Sequence, residues 1–484
     1  MSSMDQSCTP LLQALQSSSR RDHAGFYTPG HKRGRGSPQA LLQVFGRAVL
    51  QADLPELPEL DDLFAPDGVI AEAQALAAGA FGADQTWFLT NGSTCGVTAA
   101  ILAVCNPGDQ LILPRNCHRS AISGLILSGA MPIFVEPEVE TGLAYCVSPA
   151  RVRQALERYP RAKAVMITSP TYEGVCGEVD AIATLTHNHG IPLLIDEAHG
   201  PHFAFHSDLP PSALSLGADL VVQSTHKVLG AMTQAAMLHT QGARISSQRI
   251  NQSLQWVQST SPSYLLLASL DAARQQMVLQ GNQIMGQLLQ RVDATRQQLQ
   301  QISGLSILSP SSSTAGFATL DTTRLTVGVS PLGLNGLRVD QILHEQLAVT
   351  AELPTPSHLT FIPSLGTTQT DLNQLVQALK KIAQKPGGAE QPAPSIWERA
   401  IISMPQISPR AAAFSAQETV PWTEAADRIS AELVCPYPPG IPVLYPGSTI
   451  METDLDYLRQ IKAAGGNITG CTDPELQTLR VVQL

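Results

Sequence analysis

Basic blocks are missing from this 484-residue chain: its formal net charge is −10, and lysine and arginine are dispersed. That excludes the electrostatic footprint that nucleic acid or an anionic membrane surface requires, and it is compatible with a cationic small-molecule substrate. No stretch of about 18 consecutive apolar residues occurs, so no membrane-spanning helix is predicted. The first residues, MSSMDQSCTPLLQAL, lack the basic and then apolar pattern of a secretory signal. Cysteine pairs are absent too. Cys8, Cys95, Cys105, Cys117, Cys146, Cys176, Cys435 and Cys471 form no CxxC and no Cys/His cluster at zinc spacing; no metal is expected, and the thiols fit buried positions in a reducing compartment. A soluble, cytoplasmic protein is the expectation.

What the chain does have is length, enough for two or three packed units. Residues 1–68 read as an arm: a short amphipathic helix at Pro10–Gln16, an irregular basic loop FYTPGHKRGRGS, and the acidic stretch DLPELPELDDLFAPDG. The last cannot be one helix, because each proline removes a donor and pushes its predecessor toward extended backbone. From Val69 onward, strands such as TWFLT, QLILP, MPIFV, KAVMITS and IPLLI alternate with helical patterns. Apolar strands in such alternation imply a parallel sheet covered on both faces. With a long Gln-rich helix from Tyr264 to about Gln301, this unit spans 69–302. Residues 303–385 read as a smaller α/β unit, with strands near Leu305–Leu308, Gly316–Leu320, Ala348–Glu352 and Leu359–Ile362 and helices at Val339–Glu345 and Thr370–Gln384. KPGGAEQPAP (385–394) has linker composition. Residues 386–484 form a last unit, with helices at Trp422–Ile429 and Asp454–Ala464 beside the turn-rich CPYPPGIPVLYPG.

Chemistry concentrates between Ile191 and Gly230. Asp196 ends the apolar run Leu193–Ile195, and Lys227 follows Val221–Val222 through Gln223, Ser224, Thr225 and His226. An acid and a lysine at two strand ends are what a pyridoxal phosphate (PLP) site needs: the lysine holds the aldehyde, and the acid keeps the ring nitrogen protonated. Gly92, Ser93 and Thr94 offer a phosphate close backbone approach, two hydroxyls and a helix N-terminus, although the same residues make an ordinary N-cap. Ser224 and His226 flank the lysine with further phosphate-binding groups. His118 opens a helix in PRNCHRS, where its ring can stack on a flat cofactor or cap the helix. His199 in DEAHG is either a site residue or a satisfied structural histidine, while Thr171 and Tyr172 of TSPTYEG stand at another strand end. The carboxyl ends of parallel strands converge on one crevice.

TPGHKRG, LDDLFAPDG, AFGAD, FLTNGST, RNCHRS, SPTYEG, DEAHG, QSTHK, TSPSYLLLASLD and PYPPGIP, in this order, closely resemble the Orn/Lys/Arg decarboxylase family, in a short form without the N-terminal receiver-like domain. The resemblance implies a fold-type I, aspartate aminotransferase-like large domain with a mostly parallel seven-stranded sheet, plus smaller α/β C-terminal domains. It implies that Lys227 holds PLP covalently, that Asp196 pairs with the ring nitrogen, and that Ala198 and His118 pack on opposite ring faces. Ser93, Thr94, Ser224 and His226 would hold the phosphate, and Thr171 would stand on the cofactor's rim. A homodimer or tetramer with its site at the subunit interface is implied, with TSPSY (260–264) and the N-terminal stretch contributing across it. His199, Tyr172, Glu173, Asp61, Asp62 and Glu352 are candidates for contact with the substrate. Two positions depart from the family pattern: Ser448 stands where many relatives carry an acid, and Asp427 replaces the glycine of an AGRIS-like turn.

The implied reaction is decarboxylation of a basic L-amino acid, arginine or lysine before ornithine, to its amine and CO₂, as in polyamine biosynthesis. The rivals are a non-catalytic PLP-binding regulatory homologue, motivated by Ser448 and Asp427, and an aminotransferase on the same fold.

Overall fold

Strand-forming runs from Gln85 onward assemble one central sheet in the computed structural model, which describes residues 5–310, 314–384 and 401–483. The linker-like segment 385–394 lies outside the described residues. The strands are β1 (Gln85–Leu89), β2 (Gln110–Pro114), β3 (Met131–Val135), β4 (Ala162–Thr168), β5 (Leu193–Asp196), β6 (Leu220–Gln223), β7 (Ala236–Thr240) and β8 (Ile402–Ser403). They lie in the order β1-β7-β6-β5-β4-β2-β3-β8. From β6 to β3 all neighbours are parallel, while β1, β7 and β8 pair antiparallel at the two sides. The mostly parallel seven-stranded sheet is therefore present, and the last unit of the chain adds one short strand to it.

Both faces are buried, and successive residues divide between them as strand geometry demands. Leu111 and Leu113 of β2 join the apolar cluster that contains Ile101, Leu125 and Leu254 from helices Gly92–Val104, Arg119–Ser128 and Ser247–Val257. Ile112 belongs to the opposite cluster, with Val152, Leu156 and Ile182 from helices Pro149–Arg158 and Val179–Asn188. Each such side chain contributes about 1.5–3 kcal/mol by leaving water. Local signals set the helix ends: Ser148 and Ser246 accept from the backbone N–H of Arg151 and Arg249 as N-caps.

The N-terminal helix runs Pro10–Arg20, longer than expected, and its buried Leu11 and Leu15 share a core with helix Tyr264–Gln300. Thr9 does not cap it. Instead Asp271 of the long helix accepts from the N–H groups of Leu11 (3.1 Å) and Leu12 (3.4 Å), and Arg274 holds Asp271 at 2.6 Å while also donating to the Gln6 carbonyl.

Three expectations need correction. Ala348–Glu352 is not a strand: Ala348, at φ 52°, closes helix Gly336–Leu347, and the strand begins at Leu353–Pro354. The small sheet is Ser306–Ile307, Leu325–Gly328, His358–Phe361 and Leu353–Pro354 in that order, all antiparallel, while Thr319–Leu320 pairs with Val175–Cys176 outside it. Its central strand, Leu325–Gly328, was not anticipated. Finally, Trp422–Glu424 is a single 3₁₀ turn and not a helix to Ile429, because Asp427 turns the chain at φ 63° and Ile429 bridges to Thr449. Asp tolerates that left-handed backbone better than most residues, which reconciles Asp427 with a glycine pattern.

Asp61 also has a structural post. It accepts from the N–H groups of Asp62 (2.8 Å), Asp67 (3.1 Å), Gly68 (2.8 Å), Ile70 (3.0 Å) and Ala71 (3.3 Å), capping helix Val69–Phe81. Burial opposes its charge, but these donors win and hold its carboxyl below the ordinary value. Asp61→Ala is expected to destabilise the protein by about 2 kcal/mol, a lost cap plus stranded donors. Chemical unfolding monitored at equilibrium checks this; a change under about 0.5 kcal/mol would assign the cap no weight.

Candidate active site

Parallel register brings the chemistry together. Asp196 closes β5 opposite Val222 of β6 and Thr168 of β4. After β6 the backbone turns into the short helix Thr225–Val228, in which Lys227 N–H donates to the Ser224 carbonyl at 3.0 Å. Asp196 and Lys227 thus line one cavity of about 590 Å³, together with Ser93, His118, Thr171, Tyr172, Glu173, Ala198 and His199. Such a volume suits a cofactor and a small substrate.

Burial sets the electrostatics. It pushes the Asp196 carboxyl up, against the opposing pull of Lys227 and of the Ala198 N–H at 3.2 Å. It pushes the Lys227 amine down, with Asp196 and Glu352 resisting. Lys227 Nζ lies 2.9 Å from His199 Nε2 and 5.1 Å from the Tyr172 ring centre. Burial, then Lys227 and Arg324, keep His199 well below its ordinary pKa, so the ring is neutral and Nε2 accepts from the lysine. His199 Nδ1 is buried without a hydrogen-bond partner. His118 is pushed down to about 4 by burial, Lys227 and Arg119. Its Nδ1 accepts from the Ser120 N–H at 3.2 Å, so the helix-capping role is real and still leaves the rest of the ring facing the cavity.

The other candidates divide. Ser224 Oγ donates to Ser93 Oγ at 2.7 Å, which joins the two hydroxyls although only Ser93 lines the cavity. Gly92, at φ 74°, leaves open space where a side chain would stand, with nothing nearer than the Gln234 carbonyl at 3.9 Å. Thr94 is exposed, and neither it nor His226 lines the cavity. Asp61, Asp62 and Glu352 do not line it either: Asp61 is saturated by its cap, Asp62 accepts from the Phe64 N–H at 2.8 Å, and Glu352 is exposed. Ser448 is buried in a turn, donating to the Tyr445 carbonyl at 2.7 Å, so the absent acid leaves no gap in the cavity wall.

Several contributors were not read from the sequence. The PYPPGIP segment forms a wall through Pro436, Pro439 and Ile441, pinned by Arg115, which donates to the carbonyls of Pro442 and Val443 (both 2.6 Å), and by the Tyr172 hydroxyl, which donates to the Pro439 carbonyl at 3.1 Å. Beneath the cavity lies a buried cluster. Asp321 meets His202 at 3.0 Å and Arg324 at 3.3 Å, and Arg324 donates to the His199 carbonyl at 2.9 Å. Asp321 and Arg324, in the stretch read as a smaller α/β unit, carried no such signal in the sequence.

A neutral histidine against a lysine, an aspartate at the neighbouring strand end and the Ser93 hydroxyl, all on the wall of one cavity, fit a PLP-sized, ring-and-phosphate group. Fold and site together define an α/β enzyme of the fold-type I class. The crystal structure of the Francisella novicida lysine decarboxylase matches with a TM-score of 0.86 at 22% identity, covering 98% of this chain and 81% of that one. The model for the Orn/Lys/Arg decarboxylase major domain matches residues 9–315, and that for the C-terminal domain residues 399–480. The chain belongs to this family of amino-acid decarboxylases. It is 38% identical to the arginine decarboxylase of Bacillus subtilis over 489 aligned positions, covering 99% of both chains. The lysine decarboxylase LdcA of Pseudomonas aeruginosa is 27% identical, covering 93% of this chain and 75% of its own.

Removing one member of the buried cluster strands the other's charge. Asp321→Ala should therefore cost about 3–5 kcal/mol, as loss of one partner of a buried ion pair does. Denaturant midpoints for wild type and variant test this, and near-equal midpoints would mean that the cluster carries no stability.

Proposed function

We propose that this chain decarboxylates L-arginine to agmatine and CO₂, with PLP held by Lys227, as a cytoplasmic homodimer or tetramer in which the subunits complete each other's sites. The observation that carries the reading is the 2.9 Å contact of Lys227 with a neutral His199 inside the cavity that also contains Asp196. Arginine is favoured over lysine because the relative 38% identical is an arginine decarboxylase and the lysine decarboxylase is 27% identical. Exposed apolar Phe26, Val44 and Phe45 of the arm support an assembly that covers them. The eight free cysteines suit a reducing compartment. The division of the chain at residues 68, 302 and 385 belongs to the same reading, supported for the last unit by an apolar core of its own around Trp422.

The residues have distinct tasks. Lys227, its pKa lowered by burial, carries the amine that attaches the cofactor and later exchanges with the substrate amine. Asp196 balances a positive ring nitrogen in a place where an unpaired carboxylate is costly. His118 and Ala198 bound the ring, and Ser93, oriented by the Ser224 hydroxyl, binds a phosphate oxygen. When bound, PLP supplies the electron sink that accepts the pair left by the departing carboxylate. His199 fixes the Lys227 amine by hydrogen bond and holds no charge that would compete for it, so the lysine is free to deliver a proton to the substrate carbon. The walls formed by PYPPGIP and Tyr172 exclude water from that step.

Incubating the protein and PLP separately with arginine, lysine and ornithine, and identifying the amine formed, tests this directly. Agmatine with CO₂ is expected; a keto acid without CO₂ would establish an aminotransferase instead. Lys227→Ala should abolish both turnover and the visible cofactor absorbance, and Asp196→Ala should keep part of the absorbance and lose most of the turnover.

A further inference from the structure

Among the described residues lining the cavity, two are carboxylates: Asp196 and Glu173. Asp196 is committed to the Lys227 end, and Glu173 has no ion-pair partner there. Its position is rigid. Glu173 stands at the tip of a tight turn in which Gly174 N–H donates to the Thr171 carbonyl (3.0 Å) and Thr171 N–H to the Val175 carbonyl (2.9 Å). The Asp321 N–H then pins the Gly174 carbonyl at 2.8 Å. Gly174, at φ 93°, packs so closely that an added Cβ would lie 2.6 Å from Arg324 Cγ. The buried Asp321–Arg324 pair thus clamps the turn, and the turn presents Glu173.

A carboxylate half withdrawn from water is costly unless a cation meets it. Burial pushes the Glu173 carboxyl up, while the Thr171 hydroxyl favours its charged form. We propose that Glu173 is the specificity-determining residue of this site and receives the distal guanidinium of the substrate. A planar guanidinium offers paired donors that a carboxylate accepts side by side, with further N–H groups left over. Neutral oxygens for those line the same cavity on Thr141, Ser330, Asn335 and Ser357. Val139–Glu140 and Leu143–Ala144 pair as a small antiparallel hairpin whose Gly142 approaches Ser357, an added Cβ lying 3.6 Å from Ser357 Oγ, so this hairpin and the small unit enclose one end of the cavity.

This inference rests on the arginine reading above, and a binding experiment separates the two. Isothermal titration of the PLP-loaded protein uses agmatine, a guanidinium without a carboxylate, and pentylamine, an amine with an uncharged tail. Glu173→Gln should weaken agmatine on the order of tenfold or more, a change of about 1.4 kcal/mol or more. Pentylamine affinity, cofactor absorbance and melting temperature should be unchanged. Glu173→Asp, which keeps the charge, should bind agmatine more tightly than Glu173→Gln does. Equal weakening of both ligands, no weakening of agmatine, the reverse order of the two variants, or no agmatine binding by the wild type would overturn the assignment. Agmatine binding that depends on Glu173, without release of CO₂ from arginine, would remove the proposed reaction and leave the assignment standing.

Discussion

An acid and an amine withdrawn from water at the carboxyl ends of neighbouring parallel strands are the constraint around which the rest of this structure is arranged. Each is unfavourable alone: burial pushes Asp196 up and Lys227 down, and each opposes the other's shift. Parallel pairing of β5 with β6 supplies the geometry, since both strands end on the same side. The apolar faces of the sheet supply the low dielectric. A lysine with a lowered pKa is a better nucleophile, so the same burial that strains the fold prepares its chemistry.

A second set of buried charges stabilises the first. Asp321, Arg324 and His202 come from segments more than a hundred residues apart, and they join the DEAHG loop to the turn of SPTYEG. Apolar residues in the same space would fill it as well, but they would not hold the His199 carbonyl, which needs the Arg324 guanidinium as donor. Position is what the site requires: His199 must face Lys227, and Tyr172 and Glu173 must face the cavity. The C-terminal unit contributes in the same way, since Arg115 grips PYPPGIP by two carbonyls and draws a segment more than three hundred residues away onto the wall beside His118.

Motifs at strand ends were legible because strand, turn and helix signals are local. DEAHG and QSTHK follow apolar runs, and alternating elements made a parallel sheet the natural reading. Errors arose where long-range contact overrode local pattern. Leu325–Gly328 went unread because Arg324, Thr326 and Gly328 interrupt its apolar residues, and only burial against the long helix and pairing on both sides make it central. The expected helix after Trp422 fails at the left-handed Asp427. Asp61 stood among the acidic candidates for substrate contact, whereas five backbone donors converge on it.

The sequence by itself determined the family, the parallel α/β architecture and the residues with the chemistry of a PLP site, since each depends on short-range pattern. Tertiary structure decided which of those residues share a cavity. It removed Asp61, Asp62, Glu352 and Thr94 from the cavity wall and left Glu173 on it. Distance between side chains is set by packing of segments far apart in the chain, and spacing along the chain does not encode it.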